Sequence, residues 1–200
     1  MPPEAPIQGF ARTARERMPL PAAEAMTPEQ RAAAQALVAG PRKGVFGPFI
    51  PLMRSPELLN RVAALGEHLR FASSLDARVR ELVTCAVARH VGNQFEWLTH
   101  LGLATKAGVS PAALEALRVG ARPRELAPDE ECALDFAFEL LRTHGCSDPT
   151  YEATLRRFGE QGVLELSALI GYFTLINWVM NVARTPGPAV EGAPLEAFPQ

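Results

Sequence analysis

The chain has 200 residues, 48% of them hydrophobic and 21% charged, the profile of one globular domain with tails and a sizeable core. Its formal net charge of -2 provides no long-range pull on nucleic acid or an anionic membrane, so neither is expected as a partner. Three widely spaced cysteines, Cys85, Cys132 and Cys146, argue against a disulfide framework and fit a reduced cytoplasm.

The start, "MPPEAPIQGFARTARERMPLP", has no continuous apolar stretch and does not read as a secretory signal. Residues 1–26 are rich in Pro and Arg without periodicity and are expected to form an extended arm. "TPEQ" at Thr27–Gln30 is a capping box with proline at the first helical position, and that helix stops at Gly40-Pro41. The glycines, prolines and aromatics of "KGVFGPFIPLMR" suit an irregular segment over a pocket rather than a strand. "SPELLNRVAALGEHL" restarts with Ser55 as cap and Pro56 behind it.

Asp76 is expected to cap the helix "ARVRELVTCAVARH", and a short turn at Val91-Gly92 leads into "NQFEWLTHLGLATKAG", closed by Gly108. "SPAALEALRVG", "APDEECALDFAFELLRTHG" and "SDPTYEATLRRFG" are three further capped helices. A long apolar helix runs from about Gln161 to Ala183. It is near membrane-spanning length, but Glu165, Asn177 and Asn181 favour a buried core or interface helix. Its apolarity on nearly all sides predicts a homo-oligomer. The reading is all-α: an arm over 1–26, a helical domain over 27–183 and a Pro/Gly-rich tail over 184–200.

Within "NQFEWLTH" the side chains of Asn93, Glu96, Trp97 and His100 are chemically able. On a helix at roughly 100° per residue, with Asn93 at zero, Trp97 falls near roughly +40°, His100 near roughly -20° and Glu96 near roughly -60°. They are therefore expected to share one face, with Glu96 and His100 in i,i+4 contact. The short turn makes the preceding helix an antiparallel neighbour, so Glu81 can join them. Two carboxylates around one partly buried imidazole would shift each other's proton affinities toward acid–base use. The plainer readings are a surface Glu–His pair, an ion-pairing Glu81 beside Arg78 and Arg80, and a core tryptophan. A metal site lacks a third ligand at useful spacing and is not expected.

The segment "LDARVRELVTCAVARHVGNQFEWLTHLGLATKAGVSPAALEAL" resembles the carboxymuconolactone decarboxylase family, which shares its fold with the AhpD alkylhydroperoxidases, and the resemblance extends over roughly residues 40–184. The family's redox branch carries a glutamate, then Cys-x-x-Cys, then a histidine four residues on. Glu81 and His100 match the outer positions, while Asn93 and Glu96 stand where the cysteines would be. A thiol peroxidase needs a thiolate and a resolving partner, and only Cys85 lies near.

The resemblance therefore implies an AhpD-like helical domain, trimeric or hexameric, that works without metal or organic cofactor. It points to a decarboxylase-like lyase or isomerase of aromatic-compound catabolism, acting on a small carboxylated lactone or related organic acid. His100 is the expected proton-transfer residue, Glu96 tunes it, and Glu81 is a second acid–base or positioning group. Asn93, Trp97, Phe46, Phe49 and Arg80 are the expected substrate contacts, with Arg54 a further candidate for a carboxylate. The alternatives are an AhpD-like hydroperoxidase and a non-catalytic oligomeric binding protein.

Overall fold

The computed structural model describes residues 15–188 and 192–195; the remainder of the expected arm and tail lies outside them. Eight α-helices make up the described chain, in the order α1 (Pro28–Ala39), α2 (Phe49–Leu52), α3 (Pro56–Phe71), α4 (Ala77–Val91), α5 (Gln94–Ala107), α6 (Pro111–Arg118), α7 (Pro128–Thr143) and α8 (Asp148–Ala183). No strand occurs among the described residues.

The local signals act largely as chemistry requires. Thr27 and Gln30 form the reciprocal capping box of α1. Asp76 and Ser110 accept from the backbone N–H groups of Arg78 and Ala113. Ser55 departs from expectation: it stands at the N-cap of α3 but makes no side-chain cap bond. The segment between α1 and α3 is not wholly irregular, because Phe49–Leu52 close one helical turn. Gly159 leaves the helical region at φ 69°, ψ 177°, dividing α8 where the sequence separates "SDPTYEATLRRFG" from the apolar helix.

α4 is the centre of the domain. Every residue from Glu81 to Arg89 is buried, because the helix lies between two apolar clusters. Val79, Val83 and Val87 face a larger cluster with α1, α2, α3, α7 and α8. Leu82, Cys85 and Ala86 face a smaller one with α5, α6 and Leu134 of α7. Small residues on α4 let its neighbours approach closely.

The α4–α5 hairpin is then nailed to α8. Gly92 adopts the left-handed conformation (φ 70°, ψ 40°) that ends α4. Asn93 follows as the N-cap of α5, its Oδ1 accepting from the Glu96 N–H at 2.9 Å. Its Nδ2 donates to the Asn177 carbonyl at 3.3 Å and to Asn181 Oδ1 at 2.9 Å, while Asn181 Nδ2 donates to the Val91 carbonyl at 3.1 Å.

Arm and tail both dock on this frame. The Arg17 N–H donates to the Ala183 carbonyl at 2.8 Å, and Arg54 donates to the Met18 and Pro19 carbonyls at 3.2 and 2.6 Å. Gln94 exchanges two bonds with the backbone of Leu195 at 3.0 and 2.9 Å, and Leu195 is buried in the smaller cluster. By length and composition α8 could cross a membrane, yet more than half of its most apolar window is buried within the domain. Leu164, Leu175, Trp178 and Val182 remain exposed along it.

Candidate active site

Glu81, in the second turn of α4, meets His100 of α5 across the antiparallel hairpin. His100 Nδ1 lies 2.6 Å from Glu81 Oε2, and Nε2 lies 3.2 Å from Glu96 Oε2. All three side chains are nearly inaccessible to solvent, with residue exposures of 7% for Glu81, 4% for Glu96 and 2% for His100. A ring with a carboxylate on each nitrogen is a buried imidazolium between two anions.

The electrostatics follow from that sandwich. Burial disfavours the charged ring, but the bonds and charges of Glu81 and Glu96 outweigh it and raise the His100 pKa to about 9. Burial likewise pushes the Glu81 carboxyl up, and the His100 bond and charge, aided by Arg70 and Arg80, bring it below the ordinary value. Arg80 steadies Glu81 from behind, with Nε 3.8 Å from Oε1 and Nη1 donating to the Leu75 carbonyl at 3.3 Å.

Glu96 and His100 line a small cavity together with Arg42, Phe46, Phe49, Arg70, Phe95 and Tyr172. The centre of a water molecule can range over about 30 Å³ of it, room for a few waters at most. Phe173 packs edge-on against the His100 ring at 5.0 Å and against Tyr172 at 5.3 Å, fixing both. A larger groove of about 990 Å³ runs between α6, α7 and the start of α8. Its charges are largely spent on one another, as in Arg122–Asp135 at 2.7 Å, and it holds no comparable proton-transfer cluster, so size does not mark the chemistry here.

Of the residues singled out in the sequence, the structure brings Glu81, Glu96 and His100 into one chain and sets Phe46 and Phe49 in the cavity wall. The others stand elsewhere. Asn93 is a cap outside the helix (φ -102°, ψ 114°) with both ends of its amide committed to protein, so the single helical face drawn through it does not form. Trp97 turns into the smaller cluster, is fully buried and donates from Nε1 to the Ala193 carbonyl at 2.9 Å. Arg80 is spent on Glu81 and Leu75, and Arg54 on the arm. Arg42, Arg70 and Tyr172 also line the cavity, and sequence reasoning missed them. They sit on a loop, on α3 and on α8, and no local pattern links them.

Cys85 is completely buried, and burial first, then the charges of Glu81 and Glu96, raise its thiol well above the ordinary range. It is held as a neutral thiol. Among the described residues, no group of three or more His, Cys, Asp or Glu side chains is arranged to hold a metal ion.

Comparison with known proteins agrees with this architecture. Residues 56–139 match the model of the carboxymuconolactone decarboxylase family, a segment that contains Glu81, Glu96 and His100. Three crystal structures share the fold. One, from Ralstonia eutropha JMP134, is an uncharacterized peroxidase-related protein described as an alkylhydroperoxidase AhpD core, 18% identical over 89% of this chain and 94% of that one, with a TM-score of 0.69. A peroxidase-related protein from Silicibacter sp. TM1040 is 19% identical over 90% and 96%, with a TM-score of 0.68. A putative antioxidant-defence protein AhpD from Agrobacterium tumefaciens is 20% identical over 70% and 96%, with a TM-score of 0.62. No curated protein matches.

Proposed function

We propose that this chain is a cofactor-independent acid–base enzyme, a decarboxylase-like lyase or isomerase acting on a small carboxylated lactone or related organic acid. One observation carries the reading: the buried Glu81–His100–Glu96 chain ends on the wall of a cavity that also presents two guanidinium groups. The family segment over 56–139 supports it.

The roles of the two inner residues change from the sequence expectation. His100 has both ring nitrogens engaged by carboxylates, so its Nε2 proton reaches a substrate by way of Glu96. Glu96 is then the group that exchanges a proton with carbon, and His100 is its reservoir, held charged by Glu81. In a decarboxylation the C–CO₂ bond breaks and its electron pair delocalises into the lactone carbonyl as a dienolate. A hydrogen-bond donor at that oxygen stabilises it, the Glu96 carboxylate takes the Nε2 proton of His100 and passes it to carbon, and the ring, left neutral, regains a proton from water. An isomerisation uses the same pair to remove a proton and return it elsewhere. The cavity admits only water-sized species as it stands, so substrate entry requires displacement of the aromatic wall around Phe46, which is 41% exposed.

Thiol-dependent peroxide reduction, toward which the peroxidase-related structures point, draws less support: Asn93 and Glu96 occupy the cysteine positions and Cys85 is held as a thiol. Self-association as a trimer or hexamer belongs to the same proposal, supported by the exposed Leu175, Trp178 and Val182 at helical spacing. A cytoplasmic location is supported by three free cysteines.

The test follows a panel of carboxylated γ-lactones in D₂O by NMR, scoring CO₂ loss and C–H exchange. Glu96→Gln and His100→Ala are each expected to lower turnover by roughly 10²- to 10⁴-fold while the circular dichroism spectrum is retained. Full turnover in either variant overturns the reading.

A further inference from the structure

Resting on that acid–base reading of the cavity, we infer that Arg42, with Arg70 and the Tyr172 hydroxyl, forms a built anion site for the substrate's carboxylate, and that Gly66 is the specificity-determining residue that makes room for it.

Both guanidinium groups line the same cavity as Glu96 and His100. Among the described residues no carboxylate pairs with either one within 4 Å, whereas Arg61, Arg78, Arg80, Arg118 and Arg122 all have such partners. A guanidinium that is partly buried and unpaired is costly unless something anionic visits it. Arg42 is also held in place. Its Nη2 donates to the Ala63 carbonyl at 3.3 Å and its guanidinium lies 4.5 Å from the Phe49 ring centroid. Its Nε–H is buried and has no partner. An oriented fork with a spare buried donor is suited to a planar carboxylate.

Tyr172 completes the wall. Burial pushes its hydroxyl up against the pull of the neighbouring Arg42, so it stays a neutral donor next to a cation. Gly66 explains how the pair fits. A Cβ at this position would overlap the Tyr172 hydroxyl and stand 2.8 Å from Arg42 Nη2. Glycine is a weak helix former in the interior of α3, and no left-handed backbone angle calls for it there. Its use is the space it leaves for the tyrosine hydroxyl and the guanidinium.

Charge points the same way. The Glu81–His100–Glu96 chain carries one net negative charge with the ring protonated, and Arg42 and Arg70 turn the cavity positive overall. A singly charged carboxylate restores the balance; the corresponding ester does not.

The probe is 5-oxotetrahydrofuran-2-carboxylate, compared with its methyl ester, titrated into the full chain by calorimetry. The acid is expected to bind and the ester not to bind. Arg42→Gln is expected to weaken the acid roughly 10- to 100-fold, as for loss of a hydrogen bond to a charged group. Arg42→Lys, which keeps the charge and loses the fork, recovers part of that loss. Tyr172→Phe weakens binding by roughly tenfold or less, and Gly66→Ala weakens it while leaving every donor in the sequence. Thermal melts accompany each variant; if Arg42→Gln does not fold, Tyr172→Phe and Gly66→Ala decide. Glu96→Gln retains the acid, because it removes a negative charge from the cavity. Equal binding of acid and ester, no binding of the acid at millimolar concentration, or unchanged affinity in Arg42→Gln overturns the proposal. Failure of the acid–base reading shows separately, as full turnover in Glu96→Gln with the anion still bound.

Discussion

Glu81→Gln isolates what the inner carboxylate does for the imidazolium. The change keeps an acceptor 2.6 Å from His100 Nδ1 and nearly the same volume, and removes one charge. In the native protein the ring's pKa rises from 6.5 to about 9, which at about 1.36 kcal/mol per pKa unit is about 3 kcal/mol in favour of the charged ring. The depressed Glu81 carboxyl describes the same interaction from the other side and is counted once. A raised histidine contributes stability that is fully present below pH 6.5 and is lost as the pH climbs through about 9. Urea unfolding of the native protein is therefore expected to weaken across that window by about 3 kcal/mol, and Glu81→Gln to start lower at pH 7 and to lose less across the window, with Glu96 still holding the other ring nitrogen. NMR of the His100 ring, titrated from pH 5 to pH 10, reads the cause directly. A native ring that titrates near 6.5, or a variant with the native pH profile, refutes the reasoning.

Replacing Cys85, Cys132 and Cys146 together by alanine is expected to leave acid–base turnover intact; a loss beyond about tenfold, with folding preserved, would return a thiol to the mechanism. Trp97→Phe should cost about 1–3 kcal/mol in urea unfolding, because it removes the bond to the Ala193 carbonyl and leaves unfilled space in the smaller cluster, with little change in turnover. Gly47→Ala should be strained on two counts, a left-handed φ of 57° and a new Cβ 2.6 Å from the Phe95 ring. It is expected to lower stability by about 1–3 kcal/mol and to loosen the cavity wall; an unchanged melting temperature would count against the close packing described.

Much of the fold was legible along the chain. Thr27, Asp76, Ser110, Gly92 and Gly108 act within three or four residues of themselves, so their capping chemistry can be read without knowing the rest of the protein. Ser55 shows the limit even there, because a cap bond depends on a side-chain rotamer as well as a residue type. The Glu81–Glu96–His100 meeting was also legible, since a short turn and an i,i+4 spacing bring those groups together. Asn93 and Trp97 were misplaced by the helical wheel for opposite reasons. The first stands one residue before the helix begins, and the second points to a cluster that α4 and α5 build together with α6, α7 and the tail.

Local chemistry along the chain thus settles the all-helical class, most of the helix ends and the meeting of Glu81, Glu96 and His100, because each rests on neighbours in sequence or across one turn. The rest of the cavity is a property of the packed domain. Arg42, Gly66, Arg70 and Tyr172 come from three separate elements, and only the packing of α3 and α8 beside the loop after α1 makes them neighbours. The charge on His100 is decided there too: two simultaneous carboxylate contacts outweigh the desolvation that disfavours the charged ring, and neither the contacts nor the burial exists until the core has closed around it.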